Sequence, residues 1–222
     1  LNGFSQRPYA EGGKVAPRKY PASTDFILEQ IRKHPGEITL VAVGPLPNVG
    51  ALIDKDLATF KKLKRVVIMG GAFQPIPGRY GLGAPTAPMP EWNIKNDIAS
   101  AKKLFTSGVP VVVMPLDSTI NLKLHEVARN LLLTRGTPLT DMLAVTYQQW
   151  SFGTRQPTPT LFDPMTLAWM ADPSLCPVTP MHVRVDDAGM TLADSGTPNA
   201  QICLKSDPES FLHFYLGRVG KP

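Results

Sequence analysis

Cysteine is scarce in this sequence: Cys176 and Cys203 are the only two. They form no CxxC pair, and no histidine stands near either at metal-ligand spacing, so neither a clustered zinc site nor a redox motif is written here. Two cysteines neither establish nor exclude a disulfide, and they leave the compartment open. Long apolar runs are missing too. None approaches the ~20 residues of a membrane-spanning helix, so no membrane partner is expected. There is no P-loop, GxSxG or HExxH, no internal repeat, and no composition break marking a second domain. The four histidines, His34, His125, His182 and His213, are scattered, and none neighbours a nucleophile in sequence.

The excess of positive charge is modest, 23 Lys and Arg against 18 Asp and Glu. A basic balance favours polyanion partners. Yet the densest run, Lys61, Lys62, Lys64 and Arg65, lacks the interleaved aromatics of a single-strand binder. It reads as a solvated helix end complementing the helix dipole, and no nucleic-acid partner is expected. Gly78-Arg79-Tyr80-Gly81-Leu82-Gly83 superficially resembles a dinucleotide loop. It sits mid-loop among prolines instead of opening a helix after a strand, which removes its meaning.

What is present is 222 residues, 43% of them hydrophobic, with 23 prolines. The length suits one well-buried domain over 1–222. Proline at about twice the usual ~5% points to long, stiffened loops. The first residue is Leu1, and 1–20 is an irregular leading segment without the apolar core of a signal peptide. A cytoplasmic location is expected, with secretion or a periplasmic location left open.

From Pro21 the chain alternates. Ser23 or Thr24 can cap a helix carrying Phe26 to Ile31, which stops at His34-Pro35-Gly36. Ile38 to Val43 is a short, almost wholly apolar run ended by Gly44-Pro45, as a strand buried on both faces reads. A helix from Asn48 to about Lys62 precedes a second run, Val66 to Met69. A long Gly/Pro-rich loop from Ala72 to about Asn96 follows, then a helix from Ile98 to Ser107. Val109 to Met114 is the third run. Such alternation implies parallel strands with right-handed crossovers, and ligands beyond their carboxyl ends. Further helices are expected at Leu122–Leu133, Pro138–Trp150, Pro164–Ala171 and Pro208–Arg218. His182–Val185 and Gln201–Leu204 read as peripheral strands.

Three loop sets hold the chemistry. Gly44-Pro45-Leu46-Pro47-Asn48 reads either as a helix-entry turn capped by Asn48 or as carbonyls and an amide facing a cleft. Glu91 and Asn93 are two apart, which in an extended stretch turns both to one side. A carboxylate beside a carboxamide suits the hydroxyls of a polyol. Asp163 is placed to N-cap a helix opened by Pro164, and capping alone would explain it. Tyr147 and Trp150 share one helical face, where core packing competes with a ligand-lining role.

Together Thr39–Asn48, Val66–Phe73, Glu91–Ile94, Leu116–Thr119 and Leu161–Pro164 resemble the inosine–uridine-preferring nucleoside hydrolase family, in its order and at compatible spacing from about Ser23 onward. The resemblance implies an open, mostly parallel, Rossmann-like α/β sheet flanked by helices, here without the family's first strand. It implies hydrolysis of the N-glycosidic bond of small-molecule ribonucleosides by a calcium-activated water, in a homo-oligomer. Carried over residue by residue, Asp163 and the backbone carbonyl of Pro47, where the family usually has threonine, would be calcium ligands. Glu91, Asn93 and Met69 would hold the ribose, with Asn48 beside the metal. Phe162 stands where broad-specificity members carry an acid histidine. An aromatic there implies stacking on the base and a preference for purine nucleosides. Pro85 replaces a ribose-contacting asparagine of many members. The family's D-x-D-x-x-x-D-D cluster, with the general base, has no counterpart here and is expected upstream of Leu1. The alternative is a non-catalytic ribose- or nucleoside-binding relative.

Overall fold

A computed structural model describes residues 20–77 and 85–221. Residues 1–19 of the leading segment and the whole Gly78–Gly83 stretch therefore lie outside the described residues.

The expected alternation is observed. Helix α1 (Ser23–Lys33), strand β1 (Thr39–Ala42), helix α2 (Pro47–Phe60) and strand β2 (Arg65–Met69) come first. A two-residue pair follows, β3 (Ile76–Pro77) with β4 (Pro85–Thr86), then α3 (Trp92–Lys95), α4 (Ile98–Thr106) and β5 (Val111–Met114). Helices α5 (Leu116–Thr119), α6 (Glu126–Leu133), α7 (Pro138–Thr154) and α8 (Pro164–Ala171) lead to β6 (Thr179–Val185), β7 (Thr191–Asp194), β8 (Ala200–Ile202) and α9 (Pro208–Val219).

The main sheet runs β1-β2-β5-β8-β6-β7. The first four strands are parallel, and β6 is antiparallel to both β8 and β7. Period-two geometry explains why the apolar runs had no polar face. Val66, Ile68, Val111 and Val113 pack under α1, α2 and α4 with Leu28, Leu52 and Leu104. Val67, Val112 and Met114 turn the other way, against Met165 and Trp169 of α8 and Phe211 of α9. Helices thus cover both faces and leave the loops after β1, β2 and β5 at one end.

Several local expectations are corrected. Helix α1 is capped by Ala22, with no side-chain bond from Ser23 or Thr24, and Leu46, not Asn48, caps α2. The helix expected from Leu122 starts only at Glu126, because Lys123 forms a β-bridge with Thr160. Strand β8 is interior, between β5 and β6, whereas Gln201–Leu204 read as peripheral; its short buried positions hid a parallel pairing with Val112 and Val113. Strand β7 was not foreseen. Cys176 and Cys203, whose pairing the sequence left open, form a disulfide with Cα atoms 5.7 Å apart, and both are buried.

Candidate active site

The site is built on the turn where β2 ends. Gly71 has φ +87°, and a Cβ there would press on the Thr191 side chain at 3.2 Å, so glycine is required twice over. The chain beyond it is pinned from three directions. Gly71 N–H donates to Glu91 Oε2 at 3.1 Å. Ala72 N–H donates to Thr191 Oγ1 at 2.9 Å, while that hydroxyl donates back to the Ala72 carbonyl at 2.9 Å. Phe73 and Gln74 N–H donate to the Asp117 carboxylate at 3.0 and 2.8 Å. Burial pushes the Asp117 carboxyl above its ordinary range, outweighing these backbone bonds.

Thr191 has no signal in the sequence, since its partner lies 119 residues away. Asp117 falls in one of the family-like stretches, but its duty as a loop clamp was not legible there. Replacing Thr191 by Val leaves the buried Ala72 N–H and carbonyl without their partner. We expect a loss of about 1–3 kcal/mol and faster hydrogen exchange at the Ala72 amide; unchanged exchange would mean that the clasp is not formed.

Glu91 and Asn93 do meet, but not as neighbours on an extended strand. Glu91 is the N-cap of α3 and Asn93 lies within its first turn. Glu91 Oε1 accepts from Asn93 N–H at 2.9 Å, and Oε2 from Ile94 N–H at 3.1 Å. With the Gly71 bond, three backbone donors converge on a side chain only 4% exposed. Burial raises its pKa despite those donors, and the charge of Asp163 raises it further. Asn93 donates from Nδ2 to the Met69 carbonyl at 3.0 Å and sulfur at 3.4 Å. The three residues assigned to ribose therefore form one cluster at the carboxyl end of β2.

Asp163 occupies the cap position of α8, yet its carboxylate makes no capping bond. Its backbone carbonyl instead accepts from Thr166 N–H at 3.0 Å and Oγ1 at 2.7 Å. Capping, which would have explained this residue without a ligand, is thus not its role. The carboxylate opens on a groove of about 470 Å³ beside Val43, Leu167 and Phe214, and partial burial raises its pKa. Pro47 and Asn48 stand exposed at the start of α2, at the same end of the sheet.

Phe162 points elsewhere, into a cavity of about 420 Å³ shared with Lys123, His125, Trp150 and Gln156. Lys123 Nζ donates to Thr160 Oγ1 at 2.6 Å, and burial lowers its pKa. The Tyr147 and Trp150 pair divides its work. Trp150 lines this cavity, whereas Tyr147 donates to the Pro157 carbonyl at 2.9 Å under the Arg129 guanidinium.

Among the described residues no group of three or more His, Cys, Asp or Glu side chains can hold a metal ion. The donors carried over for calcium are the Asp163 carboxylate and the Pro47 carbonyl. Calcium takes six to eight oxygens, so these residues do not by themselves fit the ion. We expect the 222-residue chain to bind calcium no tighter than about 1 mM by calorimetry, and Asp163→Asn to remove what binding there is. Micromolar binding would show a fuller ligand set.

A family model described as inosine-uridine preferring nucleoside hydrolase matches residues 2–213, reaching further toward the N-terminus than the motif stretches, which begin at about Ser23. The pyrimidine-specific ribonucleoside hydrolase RihA of Citrobacter koseri is 31% identical over 216 residues, covering 89% of this chain and 65% of that protein. RihA of Salmonella arizonae is also 31% identical, covering 89% and 66%. The chain thus spans just under two thirds of the length of these curated relatives. Among solved structures, a purine-preferring ribonucleoside hydrolase from Gardnerella vaginalis superposes with a TM-score of 0.79 at 24% identity, over 93% of this chain and 68% of that one. That identity speaks for the fold.

Proposed function

The chain belongs to the inosine-uridine preferring nucleoside hydrolase family, and from that membership we propose that it serves hydrolysis of the N-glycosidic bond of ribonucleosides. The observation that carries this is the cluster of Glu91, Asn93 and Met69 at the carboxyl end of β2, with Asp163 beside Val43 just past the carboxyl end of β1. In the reaction water adds its hydroxyl to C1′ and its proton reaches the departing base, through an oxocarbenium-like transition state. Asn93 Oδ1 accepts from a ribose hydroxyl beside Glu91. The Asp163 carboxylate, not spent on capping, faces the developing positive charge. Calcium, as a hard cation, would supply a more acidic, oriented water; Asp163 and Pro47 would be its contacts within this chain.

Phe162 cannot transfer a proton, so its part is to stack on the base, with Trp150 on the same cavity wall. The proton for the base then comes from Lys123 or His125, which line that cavity. Stacking supports a purine preference; the pyrimidine-specific activity named for the RihA relatives weighs the other way. The test is ribose release by the native protein from inosine, guanosine and uridine. Inosine and guanosine are expected to be cleaved at least about tenfold faster; faster cleavage of uridine would overturn the purine assignment alone. A second reading, nucleoside binding without turnover, is favoured by the small oxygen donor set and would show as saturable binding with no ribose released.

Self-association is part of the proposal. Val127 and Leu131 on α6, with Leu139 on α7, are 75%, 56% and 54% exposed, an apolar surface suited to a second copy. Light scattering tests it, and a monomer at micromolar concentration would refute it. No helix among the described residues is long and apolar enough to cross a membrane. The buried disulfide favours an oxidising compartment over the cytoplasm expected from the sequence.

A further inference from the structure

Arg129 on α6 is a charge placed where an apolar residue would serve. It is only 8% exposed, and among the described residues no carboxylate pairs with it. Burying a cation without a counter-charge is costly, and replacing buried charges by well-packed apolar residues is often neutral or stabilising. Its neighbours Ala128 and Leu132 already form an apolar cluster with Leu124. Arg129 therefore needs a reason beyond packing.

Its guanidinium reaches in two directions. Nη1 donates to the Leu124 carbonyl at 3.2 Å, and Cζ stands 4.9 Å from the centroid of the Tyr147 ring on α7. Both contacts lead to the cavity that Phe162 lines. Leu124 lies between Lys123 and His125, which line it too. The Leu124 N–H donates at 3.0 Å to the carbonyl of Pro159, another lining residue. On the other side the Tyr147 hydroxyl donates to the carbonyl of Pro157, in the same wall, at 2.9 Å. Tyr147 also backs Trp150, the aromatic of α7 that lines the cavity, with ring centroids 6.4 Å apart and 34° between the planes.

The helix that carries Trp150 is lightly seated. Thr140, in the first turn, is the one buried residue of the 17 in α7, and Leu143 packs on the α6 cluster. Beyond Leu143 no residue of α7 is buried. A guanidinium plane over an aromatic ring holds that ring in orientation, which the point charge of a lysine does less well. We propose that Arg129 is a positioning residue for base binding. It stands outside the cavity and, through Tyr147, sets Trp150 and the Pro157 wall where a planar heterocycle can stack. The role rests on the assignment of that cavity to the nucleobase.

Calorimetric titration of hypoxanthine and of uracil into the 222-residue chain tests it, with thermal unfolding of each variant alongside. The wild type is expected to bind at least one of these bases with a Kd below about 1 mM. Arg129→Met fills the volume without the charge. It should unfold no earlier than the wild type, yet bind that base about tenfold more weakly. Arg129→Lys keeps the charge but not the plane, and should not restore the affinity. Tyr147→Leu removes the ring through which Arg129 acts and should cost the same factor, which keeps the test open if the Arg129 variants fail to fold. The double variant R129M/Y147L should bind no more weakly than either single one. Wild-type affinity in Tyr147→Leu or in a folded Arg129→Met would overturn the role of Arg129 alone, as would additive losses in the double variant. No binding of either base by the wild type would overturn the base cavity itself, and the role of Arg129 with it.

Discussion

Glu91→Ala is expected to lower the free energy of unfolding by about 3–5 kcal/mol, measured by urea denaturation at neutral pH. The side chain is 4% exposed and takes the N–H groups of Gly71, Asn93 and Ile94. Truncation leaves three buried donors without an acceptor, each costing about 1–3 kcal/mol less whatever water entering the space restores. A loss below about 1 kcal/mol would mean that α3 and the Gly71 turn stand without this clamp.

Glu91→Gln separates charge from shape. It keeps an acceptor oxygen and is expected to cost about 1–2 kcal/mol. The pH dependence has a definite sign. The folded-state pKa of Glu91 is raised, by burial first and then by Asp163. Its proton therefore stabilises the fold fully below the ordinary glutamate range, and that contribution is lost as pH rises through the raised value. The stability difference between wild type and Glu91→Gln should therefore fall with rising pH across that window. A difference that grows with pH would show that the three backbone donors, and not burial, govern this carboxyl group.

The second large effect lies away from the site. Reduction of the Cys176–Cys203 bond, or replacement of both residues by Ser, should cost about 3–4 kcal/mol, from the closure entropy of a loop with a sequence separation of 27. For a chain of this size that lowers Tm by roughly 6–16 °C. The bond ties the turn after α8 to the end of β8, where Cys203 N–H donates to the Val113 carbonyl at 3.0 Å. Its loss loosens the strand that joins the parallel and antiparallel halves of the sheet. Identical thermal transitions with and without reductant would show that the bond adds nothing.

Much of the molecule was legible in the sequence because the signals were local. The apolar runs at β1, β2 and β5 lacked a polar face, and only strands covered on both sides read so. Pro164 after Asp163 placed the start of α8 correctly. The inference that failed there was the capping bond, since whether a carboxylate turns back on its own helix depends on what else surrounds it. Glu91 and Asn93 were singled out as a pair and do meet, but on a helix cap and first turn instead of an extended stretch. Spacing alone could not tell a strand from a cap and first turn, and α3 forms because the Glu91 carboxylate can gather its N–H groups.

The sequence by itself determined the α/β alternation, the family, and the strand ends where the polar residues would collect. Only the tertiary structure decided that β8 enters the middle of the sheet, that Cys176 meets Cys203 and that Thr191 clasps Ala72. The reason is physical. Periodicity and capping act over a few residues and leave their mark in the order of the chain. Contacts between positions far apart in the chain exist only once the packed sheet and its helices have brought them to bonding distance.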